Sequence, residues 1–371
     1  MKKIVHIIIG LNTGGAELML KKLIDATYQD FDYTVVSLTD LGVIGPLLKE
    51  DGITVHTLGL KNVLLMPFVF IKLVFLLLKI KPDVVQTWMY HADFLGGLAA
   101  KLTGVKKIIW GIRSTNIEHN GSKITLLIRK MCAFLSYCIP DKIICAANAS
   151  KEAHVKVGYD SSKMVVIPNG FDTEKIQFSA EGRASVRNEL NIPSDAVVIG
   201  SVGRFNPVKN HKLFVDAAIY ALEKNSNMFF LMVGRDVDIL NPFFYELINK
   251  SKFRENFKLV GEQKDVIPYY SAMDIFCLHS LSEGFPNVLV EAMCCNLLVV
   301  STNVGDSGLL IGNHGFISSD FKVVSLFQEL NKAISLIGNE KNLDSRNYIR
   351  NNFSMTIITN KISCLYGENC L

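Results

Sequence analysis

The 371-residue chain carries little net charge, +4, and no C-x-x-C pair among its eight cysteines. The first absence argues against a nucleic-acid partner, which would call for a strong basic footprint. The second removes the usual paired-thiolate metal pattern. Cys132, Cys138, Cys145, Cys277, Cys294, Cys295, Cys364 and Cys370 are scattered, several of them in apolar runs. A free thiol there behaves as a small hydrophobe, which points to a reducing cytoplasm. Also missing is a G-x-G-x-x-G run after a strand, so a nicotinamide dinucleotide site and a dehydrogenase are disfavoured. No short-period repeat or low-complexity tract is present.

What is there reads as globular. Apolar residues make up 49% and charged residues 20%, and the length allows two ordinary domains. Charge is uneven along the chain: residues 1–170 hold 20 Lys/Arg against 13 Asp/Glu, the remainder 19 against 22. A basic N-terminal half suggests an anionic partner on that side. The opening "MKKIVHIIIGLNTGGAE" begins like a signal peptide, but its apolar run is short and ends in a polar Gly-rich turn. A buried strand explains it better.

Short β-branched runs alternate with helical stretches. "KIVHIIIG", "YTVVSL", "TVHTL", "DVVQTW", "KKIIWGI", "KIICAA" and "MVVIPNG" read as strands. A polar stretch follows, and the rhythm restarts with "VVIGSVGRF", "MFFLMVG", "FKLVG", "IFCLHS" and "LLVVST". This alternation means βαβ units and two parallel sheets. The expected domains are residues 1–175 and 186–350, with the boundary near 170–185. Residues 351–371 are expected to form a helix packing back on the first domain.

"VLLMPFVFIKLVFLLLKIKPD" is apolar enough to suggest a membrane span. Counted from Pro67, about 13 helical residues reach only about 20 Å, short of a hydrocarbon core. Lys72 and Lys79 share one face, and no acidic residue lies between Asp51 and Asp83. The segment is either a helix flanking the sheet or one that also rests on an anionic bilayer surface. "GSKITLLIRKMCAFL", with Lys123, Arg129 and Lys130, has the same character.

Several motifs carry chemistry. Gly14 and Gly15 lie between the first strand and a helix, where a glycine pair makes a tight turn or admits a phosphate to the helix amides. Arg204 and Lys209 in "GSVGRFNPVKNH" sit on a strand-to-helix loop, at the sheet edge where open α/β sheets bind ligands. A guanidinium and an ammonium so placed can share one diphosphate. In "HSLSEGFPNVLVEAM" Glu283 stands at a helix mouth, and Glu291 lies inside the helix that Pro286 opens. Backbone amides near Asn287 and Val288 could meet phosphate while the two carboxylates accept from sugar or ribose hydroxyls. His91 in "TWMYHAD" and Arg113 in "WGIRSTN" end strands. The former is a packed histidine or a cleft residue, and the latter could meet an anionic acceptor. Asp236 and Asp238 form a D-x-D pattern that can bind a divalent metal with diphosphate. With Arg204 and Lys209 present it reads as coincidence.

Together "GGAE", "KPDVVQTWMYHADFLGGLAA", "VIPNGFD", "GRFNPVKNH" and "SEGFPNVLVEAM…VVSTNVGD" resemble the family 4 glycosyltransferases, over residues 14 to about 306. The flavour is that of bacterial enzymes building O-antigen, capsule or exopolysaccharide. The resemblance implies the GT-B α/β fold, two Rossmann-like domains whose parallel sheets face a central cleft. It implies that Arg204 and Lys209 hold the donor diphosphate, that Glu291 binds ribose and that Glu283 lies near the transferred sugar. Gly14 and Gly15 would face the donor phosphates, with Gly284, Phe285, Asn287 and Val288 completing the donor site. His91 would lie beside the reacting sugar. The family places the donor mainly on the C-terminal domain and the acceptor on the N-terminal one. The chain departs from the pattern at "CCNLLVV" and at Leu309 or Leu310, where relatives carry a Gly-containing turn and an acid.

The expected activity is therefore sugar transfer with retention, without metal or cofactor. The donor would be a nucleotide-sugar, most naturally a UDP-sugar, and the acceptor a saccharide on a polyprenyl-diphosphate carrier. Such an enzyme would sit peripherally on the inner face of the membrane, held to the anionic surface through its N-terminal domain. A nucleotide-sugar epimerase of the same fold, or a non-catalytic nucleotide-sugar-binding protein, are the rival readings.

Overall fold

The computed structural model describes residues 1–115, 122–338 and 344–367. The chain divides into two compact units, one of residues 1–170 with 355–371, the other of residues 171–354.

The first unit alternates strand and helix: β1 (Lys2–Ile8), α1 (Gly15–Thr27), β2 (Phe31–Ser37), α2 (Ile44–Glu50), β3 (Thr54–Thr57), α3 (Met66–Ile80), β4 (Val84–Trp88), α4 (Tyr90–Leu102), β5 (Lys107–Ile112), α5 (Lys123–Leu135), β6 (Lys142–Cys145), α6 (Asn148–Val157) and β7 (Met164–Val166). The strands form one parallel sheet in the order β3-β2-β1-β4-β5-β6-β7. Helices cover both faces, so strands such as β4 are buried along their whole length. That burial is why the sequence shows continuous β-branched runs here instead of alternation. The second unit repeats the plan with α7 (Ala180–Glu189), β8 (Val197–Val202), α8 (His211–Leu222), β9 (Met228–Val233), α9 (Pro242–Asn249), β10 (Phe257–Leu259), α10 (Ile267–Ala272), β11 (Ile275–Leu278), α11 (Asn287–Cys294), β12 (Leu298–Thr302), α12 (Ser307–Ile311), β13 (Gly315–Ser318), α13 (Val323–Ile334) and α14 (Ser345–Phe353). Its parallel sheet runs β10-β9-β8-β11-β12-β13.

The C-terminal stretch is not one helix. It breaks at Ser354, whose extended backbone bridges Phe171. The final helix, α15 (Met355–Tyr366), belongs to the first unit. There Ile358, Ile362 and Tyr366 join the core formed by Ile4, Ile8, Leu20 and Phe31.

The apolar segment also differs from its expected length. Pro67 occupies the first turn of α3, where its missing N–H costs nothing, and a 3-10 turn at Val63–Leu65 precedes it. Val63–Ile80 thus forms 18 helical residues, enough by length and composition to cross a membrane. One stripe of it, Val69, Leu73 and Leu77, is buried in the sheet's core cluster with Leu38, Leu95 and Ala99.

Five of the six described free cysteines are buried and Cys138 is exposed. Burial pushes the thiols of Cys145, Cys294 and Cys295 up to about 12. Cys370 lies outside the described residues.

Candidate functional site

In each sheet the strand order reverses once. In the second unit it reverses between β8 and β11, which pair directly (Ile275 opposite Ile199). Loops leaving two such strands diverge and open a crevice at the carboxyl edge. Arg204 and Lys209 lie on the loop after β8, and Glu283 lies on the loop after β11.

The loop after β8 is rigid for local reasons. Asn206 Oδ1 accepts from the Val208 N–H at 3.0 Å, starting a 3-10 turn at Pro207–Lys209. Asn210 ends that turn in the left-handed region, φ 53°, which Asn tolerates. Gly234 supports the loop from below: a Cβ there would lie 2.1 Å from the Gly203 carbonyl oxygen. The Leu281 N–H then donates to the Val208 carbonyl at 2.7 Å, tying the two loops together. Across this seam the Lys209 ammonium pairs with Glu283 Oε1 at 2.7 Å. Ser280 Oγ donates to the same oxygen at 2.7 Å. Arg204 is exposed and makes no hydrogen bond or ion pair among the described residues.

The rest of the segment is fixed in turn. Gly305, at φ +54°, brings its backbone against Glu283 and Gly284, where a Cβ would lie 2.4 Å from the Gly284 carbonyl oxygen. The Asp306 N–H donates to that carbonyl at 2.9 Å. Phe285 stacks on Phe171 at 6.1 Å. Pro286 stands just outside α11, as its N-cap, so Asn287 and Val288 form the first turn, which no side chain caps. Glu291, the fifth residue of α11, accepts from Tyr270 Oη at 3.0 Å. The same hydroxyl reaches the Val288 carbonyl at 3.3 Å.

In the first unit the order reverses between β1 and β4, with Ile8 opposite Trp88. The structure therefore brings the loop with Gly14 and Gly15 and the turn with His91 to neighbouring strand ends. Gly14 caps α1 in extended conformation. Gly15 is exposed, and a Cβ there would meet nothing within 4 Å. Packing inside the unit does not require that glycine. Before His91, Met89 adopts φ 70°, ψ 161°. That region is essentially restricted to glycine, and occupying it costs about 1–3 kcal/mol. The Met89 N–H bond to the Gly111 carbonyl, 2.8 Å, helps hold the strain. His91 makes no hydrogen bond among the described residues, and burial lowers its pKa. Arg113, on the loop after β5, lies over the Trp88 ring at 4.8 Å and donates from Nη1 to Asn169 Oδ1 at 2.9 Å. Its Nε and Nη2 are buried without partners among the described residues. Burial lowers its pKa to about 10.

Two family models match the chain: Glycosyltransferase Family 4 over residues 13–175 and Glycosyl transferases group 1 over residues 182–352. An Escherichia coli relative, UDP-Gal:alpha-D-GlcNAc-diphosphoundecaprenol alpha-1,3-galactosyltransferase, is 30% identical over 78% of this chain and 76% of its own. The chain belongs to the family 4 glycosyltransferases. A Staphylococcus aureus relative, the capsular polysaccharide biosynthesis glycosyltransferase CapH, is 26% identical over 100% of both chains. Among solved structures, Anabaena HepE in complex with UDP superimposes with a TM-score of 0.83, at 21% identity over 98% of each chain. A Rickettsia africae glycosyltransferase gives 0.82 at the same identity and coverage. Those likenesses carry the GT-B fold.

The D-x-D of this glycosyltransferase has a structural use. Asp236 holds a left-handed turn at φ 60°. Asp238 Oδ1 accepts from the N–H groups of Leu240 and Asn241 at 2.8 and 3.1 Å, just ahead of α9. Among the described residues no group of three or more His, Cys, Asp or Glu could hold a metal ion.

Sequence reasoning missed Ser280, Tyr270 and His279. Ser280 and His279 stood in the quoted segment, but only the strand end could have drawn attention to them. Tyr270 gave no signal. The apolar helices also present matching outer stripes. On α3 Phe68, Ile71, Phe75 and Leu78 are exposed, and on α5 Ile124, Leu127, Met131 and Phe134. Each set falls at i, i+3, i+7, i+10, one side of a helix.

Proposed function

We propose that this glycosyltransferase moves a sugar from a UDP-sugar to a saccharide on a polyprenyl-diphosphate carrier, in the assembly of O-antigen, capsule or exopolysaccharide. The observation that carries the reading is the cation arrangement at the second unit's switch point: Lys209 paired with Glu283, and Arg204 on the same loop without a partner among the described residues. The diphosphoundecaprenol-linked acceptor of the E. coli relative and the place of the S. aureus relative in capsular polysaccharide biosynthesis support the pathway.

In the proposed cycle the donor diphosphate takes both cations, and Glu283 turns from Lys209 to the sugar hydroxyls while Ser280 still donates to it. Glu291 accepts from ribose hydroxyls, and Gly284, Phe285, Asn287 and Val288 complete the donor site. Gly14 and Gly15 admit the phosphates to the first unit's amides. The acceptor oxygen bonds to the anomeric carbon on the face from which the diphosphate departs. The C–O bond to phosphate breaks with its electron pair, and the acceptor proton passes to a departing phosphate oxygen. Configuration is thereby retained. Arg204, Lys209 and the α11 amides stabilise the charge growing on the diphosphate, a term worth about two orders of magnitude per lost contact. His91 lies beside the reacting sugar, and Arg113 offers its unpartnered nitrogens to an acceptor anion.

The proposed location is the inner face of the membrane. The α3 and α5 stripes would enter the interface while Lys72, Lys79, Lys123 and Lys130 meet anionic headgroups. Two cations serve where other transferases use a metal. The test incubates the protein with anionic vesicles holding a polyprenyl-diphosphate sugar and a panel of UDP-, GDP- and dTDP-sugars. Transfer from a UDP-sugar, with an α-linked product from an α-donor and full activity in chelator, is expected. Transfer only with another base, inversion, or loss in chelator would overturn the corresponding element.

A further inference from the structure

A buried histidine grips the main chain of the loop that carries Arg204 and Lys209. His279 follows β11 and is 3% exposed. Its Nδ1 lies 2.5 Å from the Lys209 carbonyl oxygen, and its Nε2 lies 2.6 Å from Ser201 Oγ on β8. A carbonyl only accepts, so the proton must sit on Nδ1 and Nε2 accepts from the Ser201 hydroxyl. One tautomer satisfies both ring nitrogens. The ring stacks on Phe214 of α8 at 4.8 Å and 24°, and burial holds its pKa near 3. His211, the first residue of α8, is 3% exposed and follows Asn210 at the end of the loop. Its ring meets His279 edge-on at 5.2 Å.

We infer that His279 is a positioning residue for diphosphate recognition. Its Nδ1–H locks the carbonyl of Lys209 beside the left-handed Asn210, which fixes where the Lys209 ammonium emerges and where Arg204 stands on the same loop. The next residue, Ser280, holds the counter-charge Glu283. Adjacent residues of one strand end therefore set the backbone of the cation and the carboxylate that faces it. The ring is buried among Phe214, His211 and Ser201, so it acts through Lys209 and takes no proton from substrate. This inference rests on the donor reading above.

Side-chain geometry supplies the test. An Asn amide nitrogen overlays the histidine Nδ1, whereas a Gln amide overlays Nε2. UDP and uridine are titrated into the full-length wild type, His279→Asn, His279→Gln, His279→Leu and Lys209→Ala, by calorimetry for UDP and ligand-observed NMR for uridine. Melting curves check folding. UDP affinity should fall about tenfold in the Gln and Leu variants, the scale of one lost hydrogen bond. It should stay near wild type in the Asn variant, with uridine affinity unchanged throughout. Should His279→Leu not fold, the Asn and Gln variants decide alone. A loss of Lys209→Ala affinity with wild-type binding in His279→Gln and His279→Leu overturns the inference and leaves the donor reading standing. Equal losses for UDP and uridine reduce His279 to a packing residue and also overturn it. A wild type that binds no UDP ends both.

Discussion

The ammonium of Lys209 meets a carboxylate oxygen of Glu283 at 2.7 Å, though the two residues stand 74 positions apart in the chain. Both side chains are largely shielded, 25% and 15% exposed, so the attraction is less screened than at an open surface. On the proposed donor reading, a diphosphate competes with that carboxylate for the cation. Glu283→Gln, which keeps shape and removes charge, should therefore tighten UDP binding about threefold or more while sugar transfer falls at least about a hundredfold. Weaker UDP binding in this variant would mean the pair does not compete with the ligand.

Arg204 contributes nothing to the fold that can be seen, since it is exposed and unpartnered among the described residues. Arg204→Ala should leave the melting temperature unchanged within about a degree, as surface substitutions do. Turnover should still drop about a hundredfold. A variant that melts early but keeps its rate would reverse this assignment.

Stability should peak near neutral pH. Burial depresses His6 and His279 to about 3 and His154 and His211 to about 4, from 6.5. Below about pH 6.5 the unfolded chain takes up protons that the folded chain refuses, so stability declines toward acid. Asp93 acts oppositely. Burial raises its carboxyl from 3.8 to about 8, so the folded chain keeps a proton that the unfolded chain releases, and stability declines as pH rises to about 8. Thermal melts from pH 5 to 9 should show a maximum near about pH 7, where the proton uptake of the four histidines in the unfolded chain has fallen to match the one proton held by Asp93. Asp93→Asn should flatten the limb above it; an unchanged limb would point to another group.

The outer stripes of α3 and α5 make separate contributions if both meet lipid. Phe75→Glu and Phe134→Glu should each reduce flotation with anionic liposomes, and the double variant should abolish it. Lys72→Glu with Lys79→Glu should weaken binding to anionic vesicles only. Activity on a short, water-soluble acceptor should survive all four changes. Undiminished flotation of the Phe75→Glu, Phe134→Glu pair would dismiss this surface.

Much of the fold could be read from sequence because parallel strands covered on both faces leave unmistakable β-branched runs. Strand β13 escaped because Gly315 opens it and only four residues pair. The break at Ser354 was hidden because helical residues stand on both sides of it; what ends the helix is a bridge to Phe171, more than 180 positions away. Pro67 misled in the other direction, since it starts α3 instead of shortening it. At the site, charged residues on strand-end loops could be found from spacing. Their supports could not. Ser280, Tyr270 and His279 matter through partners that only folding brings near, and the strain at Met89 leaves no mark on its own identity.

The last helix has a consequence for how the molecule is made. Residues 171–354 are one uninterrupted stretch and can assemble while translation continues. The first unit cannot, because Ile358, Ile362 and Tyr366 cover Ile4, Leu20 and Phe31, and the Lys2 ammonium bonds the Gly367 carbonyl at 2.5 Å. Residues 1–170 thus leave the ribosome well before Ile358, Ile362 and Tyr366 and wait for them, their sheet partly bare. A nascent chain stalled short of residue 355 would expose that greasy patch to chaperones, and expressing residues 1–170 alone should yield a sticky fragment rather than a working half.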